Sequence, residues 1–240
     1  MAQIVIIFLL CFVCGIVQTA IGFGSVIIMM AVMPLFLPAG ACVIVAQLCG
    51  TALSFWMLRD LWRSIEWKKV AVPTAFAVVF GIVGLFLAKG ISDAVYMKIL
   101  GVLLVLLSAW MLIFSARVRI RPTTVNGSAV GLISGVLGAL FAVSAPPLVL
   151  YYSASTDDKD NYTSCLQITL GLQGLITLIG RGVFDMWVEG VWLLCVPAVL
   201  GMLLGSIPGK KIYGKLDIKT FKMLIHIFIG LLGIYIFFSN

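Results

Sequence analysis

Eight apolar segments take up nearly all of this chain: residues 3–38, 40–58, 70–89, 93–115, 126–153, 162–180, 190–208 and 217–238. A helix needs about 20 predominantly apolar residues to cross the hydrocarbon core of a bilayer, so these segments predict an all-α integral membrane protein embedded in lipid. The connections between them are short and leave no room for a soluble catalytic or nucleic-acid-binding domain. Composition agrees, with 62% hydrophobic and 10% charged residues, where ordinary soluble domains carry about 25% charged. A formal net charge of +7 would point to nucleic acid in a soluble protein. Here the Lys and Arg lie between hydrophobic runs, where they report topology, and no nucleic-acid partner is expected. No Lys or Arg precedes the apolar stretch that opens at Ile4, and no small-residue cleavage site follows a short hydrophobic region. No cleaved signal peptide is expected. Cys11, Cys14, Cys42, Cys49, Cys165 and Cys195 all fall inside apolar segments, where a disulfide framework has neither oxidant nor accessible partners. Cys11-Phe12-Val13-Cys14 matches C-x-x-C but lacks the polar loop and the nearby His or carboxylates that redox or metal chemistry uses, so no metal and no cofactor are expected.

Two of the eight segments are interrupted. The first contains Gln18-Thr19-Ala20-Ile21-Gly22-Phe23-Gly24-Ser25, and the fifth contains Ser134-Gly135-Val136-Leu137-Gly138 followed by Ser144-Ala145-Pro146-Pro147. Gly loses about 1 kcal/mol and Pro about 3 kcal/mol of helix propensity relative to Ala, so the backbone is expected to leave the helix at these clusters, making each segment a broken-helix hairpin. The two occupy matching places in a duplication. Pro73 and Pro197, Gly81 and Gly205, Asp93 and Asp217, and Lys98 and Lys222 match at one spacing of 124, while Gly15 and Gly131, and Gly22 and Gly138, match at 116. The difference is accounted for by extra residues in the polar loop from Thr156 to Asn161. The chain therefore divides into an N-terminal repeat, 1–120 (hairpin 3–38, spans 40–58, 70–89 and 93–115), and a C-terminal repeat, 121–240 (hairpin 126–153, spans 162–180, 190–208 and 217–238).

Charge selects a topology. If the two interrupted segments each cross once, the 16 Lys and Arg divide evenly between the two sides. If each is a hairpin, Arg59, Arg63, Lys68, Lys69, Arg117, Arg119, Arg121, Lys159, Lys210, Lys211, Lys215, Lys219 and Lys222 share one face, thirteen against three. The positive-inside rule favours the second arrangement, which inverts one repeat relative to the other and places both chain ends outside.

Inverted repeats with paired broken helices point to a secondary transporter whose substrate site lies near the bilayer midplane where the repeats meet. Amides at the N-terminal ends of half-helices carry partial positive charge and favour anions. Gly22, Phe23, Gly24 and Ser25 allow close approach to bare amides, with Gln18 and Thr19 adding polar groups; the counterpart is Ser134, Gly135 and Gly138, with Ser144 before the Pro146-Pro147 helix start. The same glycines would equally serve close helix packing. Gln47 and Gln167 hold nearly matching places on the span after each hairpin and would either face one cavity or hydrogen-bond between helices. His226 is the only ionisable residue deep in a segment, a candidate for proton coupling or a helix-to-helix bond. No Asp or Glu lies in a span interior, so a cationic substrate would lack a counter-charge and the substrate is expected to be a small anion or a neutral solute. No H-E-x-x-H, G-x-S-x-G or Walker A motif is present. The chain is not expected to be an enzyme or an ATP-driven pump.

The two Gly-interrupted hairpins, Gly22-Phe23-Gly24-Ser25 after Gln18-Thr19, the Pro73 and Pro197 spans with Gly81 and Gly205, and the final Asp217-x-x-x-x-Lys222 span together resemble the sulfite exporter TauE/SafE family of bacterial inner-membrane permeases. The resemblance covers essentially the whole chain. It implies a permease for sulfite, a sulfonate or another sulfur-containing organic anion, working by alternating access around the two hairpin tips. The chain departs from the family pattern at Ala139-Leu140-Phe141, where further glycine is expected after Gly138. A passive anion channel or a non-transport membrane scaffold would use the same broken helices.

Overall fold

The computed structural model describes residues 2–114, 122–156, 158–212 and 236. The segment 217–238 with His226 lies outside them except for Ile236, as do Arg117, Arg119 and Arg121. The described residues form nine α-helices and no strand: α1 Ala2–Ile21, α2 Ser25–Val32, α3 Ala39–Leu61, α4 Trp67–Ala88, α5 Asp93–Phe114, α6 Thr124–Phe141, α7 Ala145–Ser155, α8 Lys159–Val183 and α9 Trp192–Ile212. Short 3-10 turns, Met33–Leu35 and Trp62–Ser64, follow α2 and α3. In lipid every backbone N–H and C=O must find a partner within the protein, which helices provide along their length. Among the described residues six stretches are long and apolar enough to cross a membrane: Gln3–Ile21, Ala39–Ser64, Trp67–Ala88, Thr124–Phe141, Lys159–Val183 and Trp192–Lys211. The protein is a multi-pass membrane protein.

Both interrupted segments are broken helices with unequal arms. α1 has 20 residues and α6 has 18; at 1.5 Å per residue these are about 30 and 27 Å, close to the roughly 30 Å hydrocarbon core. Their second arms, α2 with 8 residues and α7 with 11, reach only about 12 and 16 Å.

The chain folds into two compact units, each drawing on both sequence halves: residues 1–46, 90–117 and 188–240 in one, 47–89 and 118–187 in the other. In the first, α1 lies against α9 along a glycine seam. A Cβ on Gly15 would collide with the Met202 carbonyl, and Cβ atoms on Gly201 and Gly205 with the carbonyls of Phe8 and Phe12. In the second unit α6 lies against α4 in the same way. Gly131 meets the Pro73 carbonyl, and a Cβ on Gly135 would sit 2.6 Å from the Ala77 oxygen and 2.8 Å from the Gly81 nitrogen. Lipid tails are as apolar as leucine, so helices associate in a bilayer by close backbone packing, and bare Cα atoms permit it.

The outward faces are apolar stripes at helical spacing, as on α9, where Leu193, Val196, Leu200, Leu204 and Ile207 are exposed. On a water-soluble protein such a stripe would promote association; in a bilayer it is the lipid-facing surface. The turn between α3 and α4 is aromatic and basic. Exposed Trp62 and Trp67 pack edge to face at 5.8 Å, and the Arg59 guanidinium lies 4.5 Å from the centre of the Trp56 ring. Amphipathic rings beside Arg and Lys are the side chains that settle at a membrane–water boundary.

Candidate functional site

At the first break the chain needs two left-handed residues in three. Gly22 has φ 95° and Gly24 φ 107°, conformations that cost an L-residue about 1–2 kcal/mol and glycine nothing. The Gly22 amide closes α1 on the Gln18 carbonyl at 2.6 Å, and Gly24 is the N-cap of α2. Phe23, between them, is buried. The Ser25 hydroxyl donates to Gln18 Oε1 across the break, tying the start of α2 to the last turn of α1. The first amides of α2, at Ser25, Val26 and Ile27, have no acceptor within their own helix. Thr19 is 3% exposed, and its Oγ1 is buried without a hydrogen-bond partner. Gln18, Gly22 and Ser25 are thus joined across the break, with Phe23 and Gly24 between them, while Thr19 lies against Gly209 on α9. This arrangement presents donors at the positive end of a short helix, which suits an anion.

The second break is built differently: its second helix starts after Ser144 with Pro146 and Pro147 in the first turn, as expected, but the first helix ends later than its glycines suggest. The backbone stays helical through Ser134, Gly135 and Gly138 and leaves the helix only after Phe141. The turn residue is Ala142, at φ 59°, whose amide bonds to the Gly138 carbonyl at 2.9 Å. The physical reason is packing. Gly135 lies against α4, and the Gly138 Cα lies against the side-chain amide of Gln173 on α8. These glycines serve helix contacts, and Ala139-Leu140-Phe141 is the last helical turn. Ser144 is the N-cap of α7 but makes no side-chain cap bond, and Pro146 and Pro147 stand in the first turn. Proline has no N–H, so this helix start presents fewer donors than that of α2.

Neither break lies midway along the helices it packs on. Thr19 touches Gly209 near the C-terminal end of α9, and Ala139 touches Gly84 near that of α4. Both first arms, α1 and α6, are themselves nearly span-length. What lies midway in the second unit is polar. Gln173 is buried on α8, and its Nε2 donates to the carbonyls of Ser134 at 3.3 Å and Gly135 at 3.5 Å. Gln173 Oε1 and Ser134 Oγ are both buried and without a partner. The other glutamines sit on the α3–α8 contact. Gln167 Oε1 accepts from Ser54 Oγ at 2.8 Å, an interhelical bond. Gln47 and Thr51, one turn apart, lie against Gly174, with Gln47 Oε1 and Thr51 Oγ1 unpartnered. One turn before Gln173, Thr169 Oγ1 joins Thr74 at 2.8 Å, Tyr152 at 2.7 Å and its own Cys165 carbonyl at 3.0 Å.

Arg181 is a residue that sequence reasoning does not single out. It follows directly on an apolar run and reads as a loop charge, yet it is 4% exposed and its guanidinium donates to the Ala139 carbonyl in the last turn of α6. A cation there complements the negative end of the helix dipole. Arg181 is thus a buried cation at the end of a span, whereas His226 lies outside the described residues. The four-residue spacing of Thr169, Gln173, Thr177 and Arg181 is the pattern that marks this polar stripe of α8.

A family model described as sulfite exporter TauE/SafE matches residues 7–236. Comparison with curated proteins and with solved structures gives no match.

Proposed function

The chain belongs to the sulfite exporter TauE/SafE family, and from that premise we propose that it is a secondary transporter of a small anion, sulfite or another sulfur-containing organic anion, in a bacterial inner membrane. The observation that carries the anion is the first break. Gly22 and Gly24 hold the backbone left-handed ahead of α2, whose first amides, at Ser25, Val26 and Ile27, have no acceptor within their own helix, and buried Gln18 reaches across the break to the Ser25 hydroxyl. A fixed set of amide dipoles holds an oxyanion without a counter-ion from the protein, which fits spans whose interiors lack acidic groups.

Alternating access between two inverted repeats is the mechanism this reading adopts. Its support is the likeness of the two seams. α1 and α6 are the first arms of the two hairpins, α9 and α4 carry the matched prolines Pro197 and Pro73, and Gly15 and Gly131 each meet a carbonyl of the partner span. Each first arm thus packs on a span from the opposite sequence half. With Arg63, Lys68 and Lys69 on the cytoplasmic side, as the charge asymmetry favours, both chain ends face outward.

The test is counterflow of labelled sulfite, thiosulfate and a short organosulfonate in proteoliposomes holding only this chain, with a neutral amino acid and a cation as controls. Saturable exchange of a sulfur anion is the expected result. Flux that rises linearly without exchange would replace the carrier with a channel, and no movement of any sulfur anion by inserted protein would remove the proposed substrate class.

A further inference from the structure

We propose that the mid-span contact of Gln173 with Ser134 is a selectivity site for a singly charged, hydrogen-bearing oxyanion, so that the form moved is hydrogen sulfite and not the sulfite dianion. The inference rests on the transport of a sulfur oxyanion proposed above and deepens it.

Three features carry it. The first is depth: Gln173 is the fifteenth of 25 residues in α8, Ser134 the eleventh of 18 in α6, and Gly81 the fifteenth of 22 in α4. All three stand in the middle of their helices, where alternating access needs a site. The second is the shape of the surroundings. Gln173 lies against bare Cα atoms, since a Cβ on Gly138 would collide with its amide and a Cβ on Gly81 would sit 3.9 Å from its Cγ. Small residues on two facing helices thus line this side of the side chain. Its two hydrogen bonds, at 3.3 and 3.5 Å, are at and beyond the long end of the N–H···O range, and an α-helix already uses those carbonyls internally. They are bonds a stronger acceptor would displace.

The third feature is the mixture of donors and acceptors. Gln173 Oε1 and Ser134 Oγ belong to residues with 0% exposure and have no partner, and a buried polar atom left unpaired is costly enough that natural proteins seldom keep one without use. An amide oxygen accepts only, an amide nitrogen donates only, and a hydroxyl does both. An oxyanion bearing one O–H matches this set. Its O–H donates to Gln173 Oε1 while its other oxygens accept from Gln173 Nε2 and from the Ser134 hydroxyl. A dianion without hydrogen would press an oxygen against Oε1 and would bring two charges into groups that are all neutral. The cost of removing an ion from water rises steeply with its charge. Within this unit the titratable or charged side chains on α8 and the helices packed on it are Lys159, Asp160, Tyr162, Cys165 and Arg181 on α8, Cys49, Arg59 and Asp60 on α3, Lys68 and Lys69 near the start of α4, and Tyr151 and Tyr152 on α7; α6 carries none.

The experiment measures counterflow KM against pH for sulfite and for methanesulfonate, a monoanion with no O–H at any pH, in the unaltered chain and in Gln173→Met and Ser134→Ala. Methionine keeps the length of the side chain over Gly138 and removes both amide groups. In the unaltered chain the KM for total sulfite is expected to rise with pH as hydrogen sulfite is depleted and to be constant when expressed as hydrogen sulfite. The methanesulfonate KM should be flat, which excludes titration of the protein as the cause. Gln173→Met removes the Nε2 donor from both anions but the Oε1 acceptor only from hydrogen sulfite, so it should raise the hydrogen sulfite KM about tenfold more than that of methanesulfonate. A KM for total sulfite that does not change with pH, or equal losses for the two anions in Gln173→Met, would overturn the proposal while leaving sulfur-anion transport standing. The pH profile of the unaltered chain decides the question even if neither variant inserts. Absence of all sulfur-anion exchange would instead be a failure of the underlying reading.

Discussion

The two breaks solve one problem with opposite chemistry. Each must end a helix, turn the chain through a left-handed residue and start a second helix inside the membrane. At the first break glycine does this at Gly22 and Gly24 and leaves the α2 amides bare; at the second Ala142 takes the strained conformation, and prolines at 146 and 147 remove two donors. Arg181 then anchors the last turn of α6 from outside, through the Ala139 carbonyl. A helix end that offers amides can hold an anion, whereas one made of prolines serves mainly to redirect the chain. The first break thus offers backbone donors at a helix start, while the second unit offers buried side-chain groups, Gln173 and Ser134, on the helices beside its own break.

The largest expected effect follows from that asymmetry. Gly22→Leu should abolish counterflow while membrane insertion persists, because φ 95° excludes a branched side chain and the amides of α2 lose their aim. Gly138→Leu should also abolish counterflow, through a different route, since its side chain would occupy the place of the Gln173 amide. Thermal unfolding in detergent separates the two routes. Gln173→Ala should restore much of the stability lost in Gly138→Leu, and Gln18→Ala should restore none of that lost in Gly22→Leu. Unaltered flux in both single variants would place the anion away from either break.

An intermediate effect is expected at Arg181. Its bond to Ala139 is a charge-assisted contact to a helix C-terminus, and Arg181→Gln should lower stability by about 1.5–3 kcal/mol, measured by thermal unfolding. Gly22 and Gly24 need no such anchor, so no substitution of a basic residue in the first unit should loosen the first break by a comparable amount. Equal sensitivity of both breaks to neutralised basic residues would mean that the difference in their construction has no energetic meaning.

The first break is legible throughout in the amino-acid sequence, whereas of the second only the helix start at Ser144, Pro146 and Pro147 is, and the end of α6 is not, for a physical reason. Gly-Phe-Gly between two apolar runs is a local instruction, because each glycine is required by its own backbone angle. Gly131, Gly135 and Gly138 look the same in sequence but answer to residues distant along the chain: the Pro73 carbonyl, the Ala77 carbonyl and the Gln173 amide. Ala142 carries no mark of the turn it makes. Depth is hidden in the same way. That Arg181 is buried depends on α6 ending beside it, and that Gln173 lies against bare Cα atoms depends on which residues face it. The helical character of the spans, the break at residues 22–24, and the membership of Gln18 and Ser25 in one cluster follow from spacing alone.

The smallest effect gives the sharpest comparison, because it exchanges the two solutions. Replacing Ala142 by glycine relieves a left-handed conformation that costs an L-residue about 1–2 kcal/mol, and adds the unfolded-state freedom of glycine, worth about 0.5–1 kcal/mol against folding. The net expectation for Ala142→Gly is a gain below about 1 kcal/mol in thermal unfolding, with the sulfite KM unchanged, since no donor is added or removed. The reverse exchange, Gly22→Ala, combines the same two contributions with opposite sign and should lose a similar amount, while also raising KM because the α2 amides shift with the turn. A loss of stability in Ala142→Gly would mean that the buried Ala142 methyl, 5% exposed, contributes more by packing than its backbone strain costs. The second break would then be held by packing of its left-handed residue's own side chain, which glycine at 22 and 24 cannot supply.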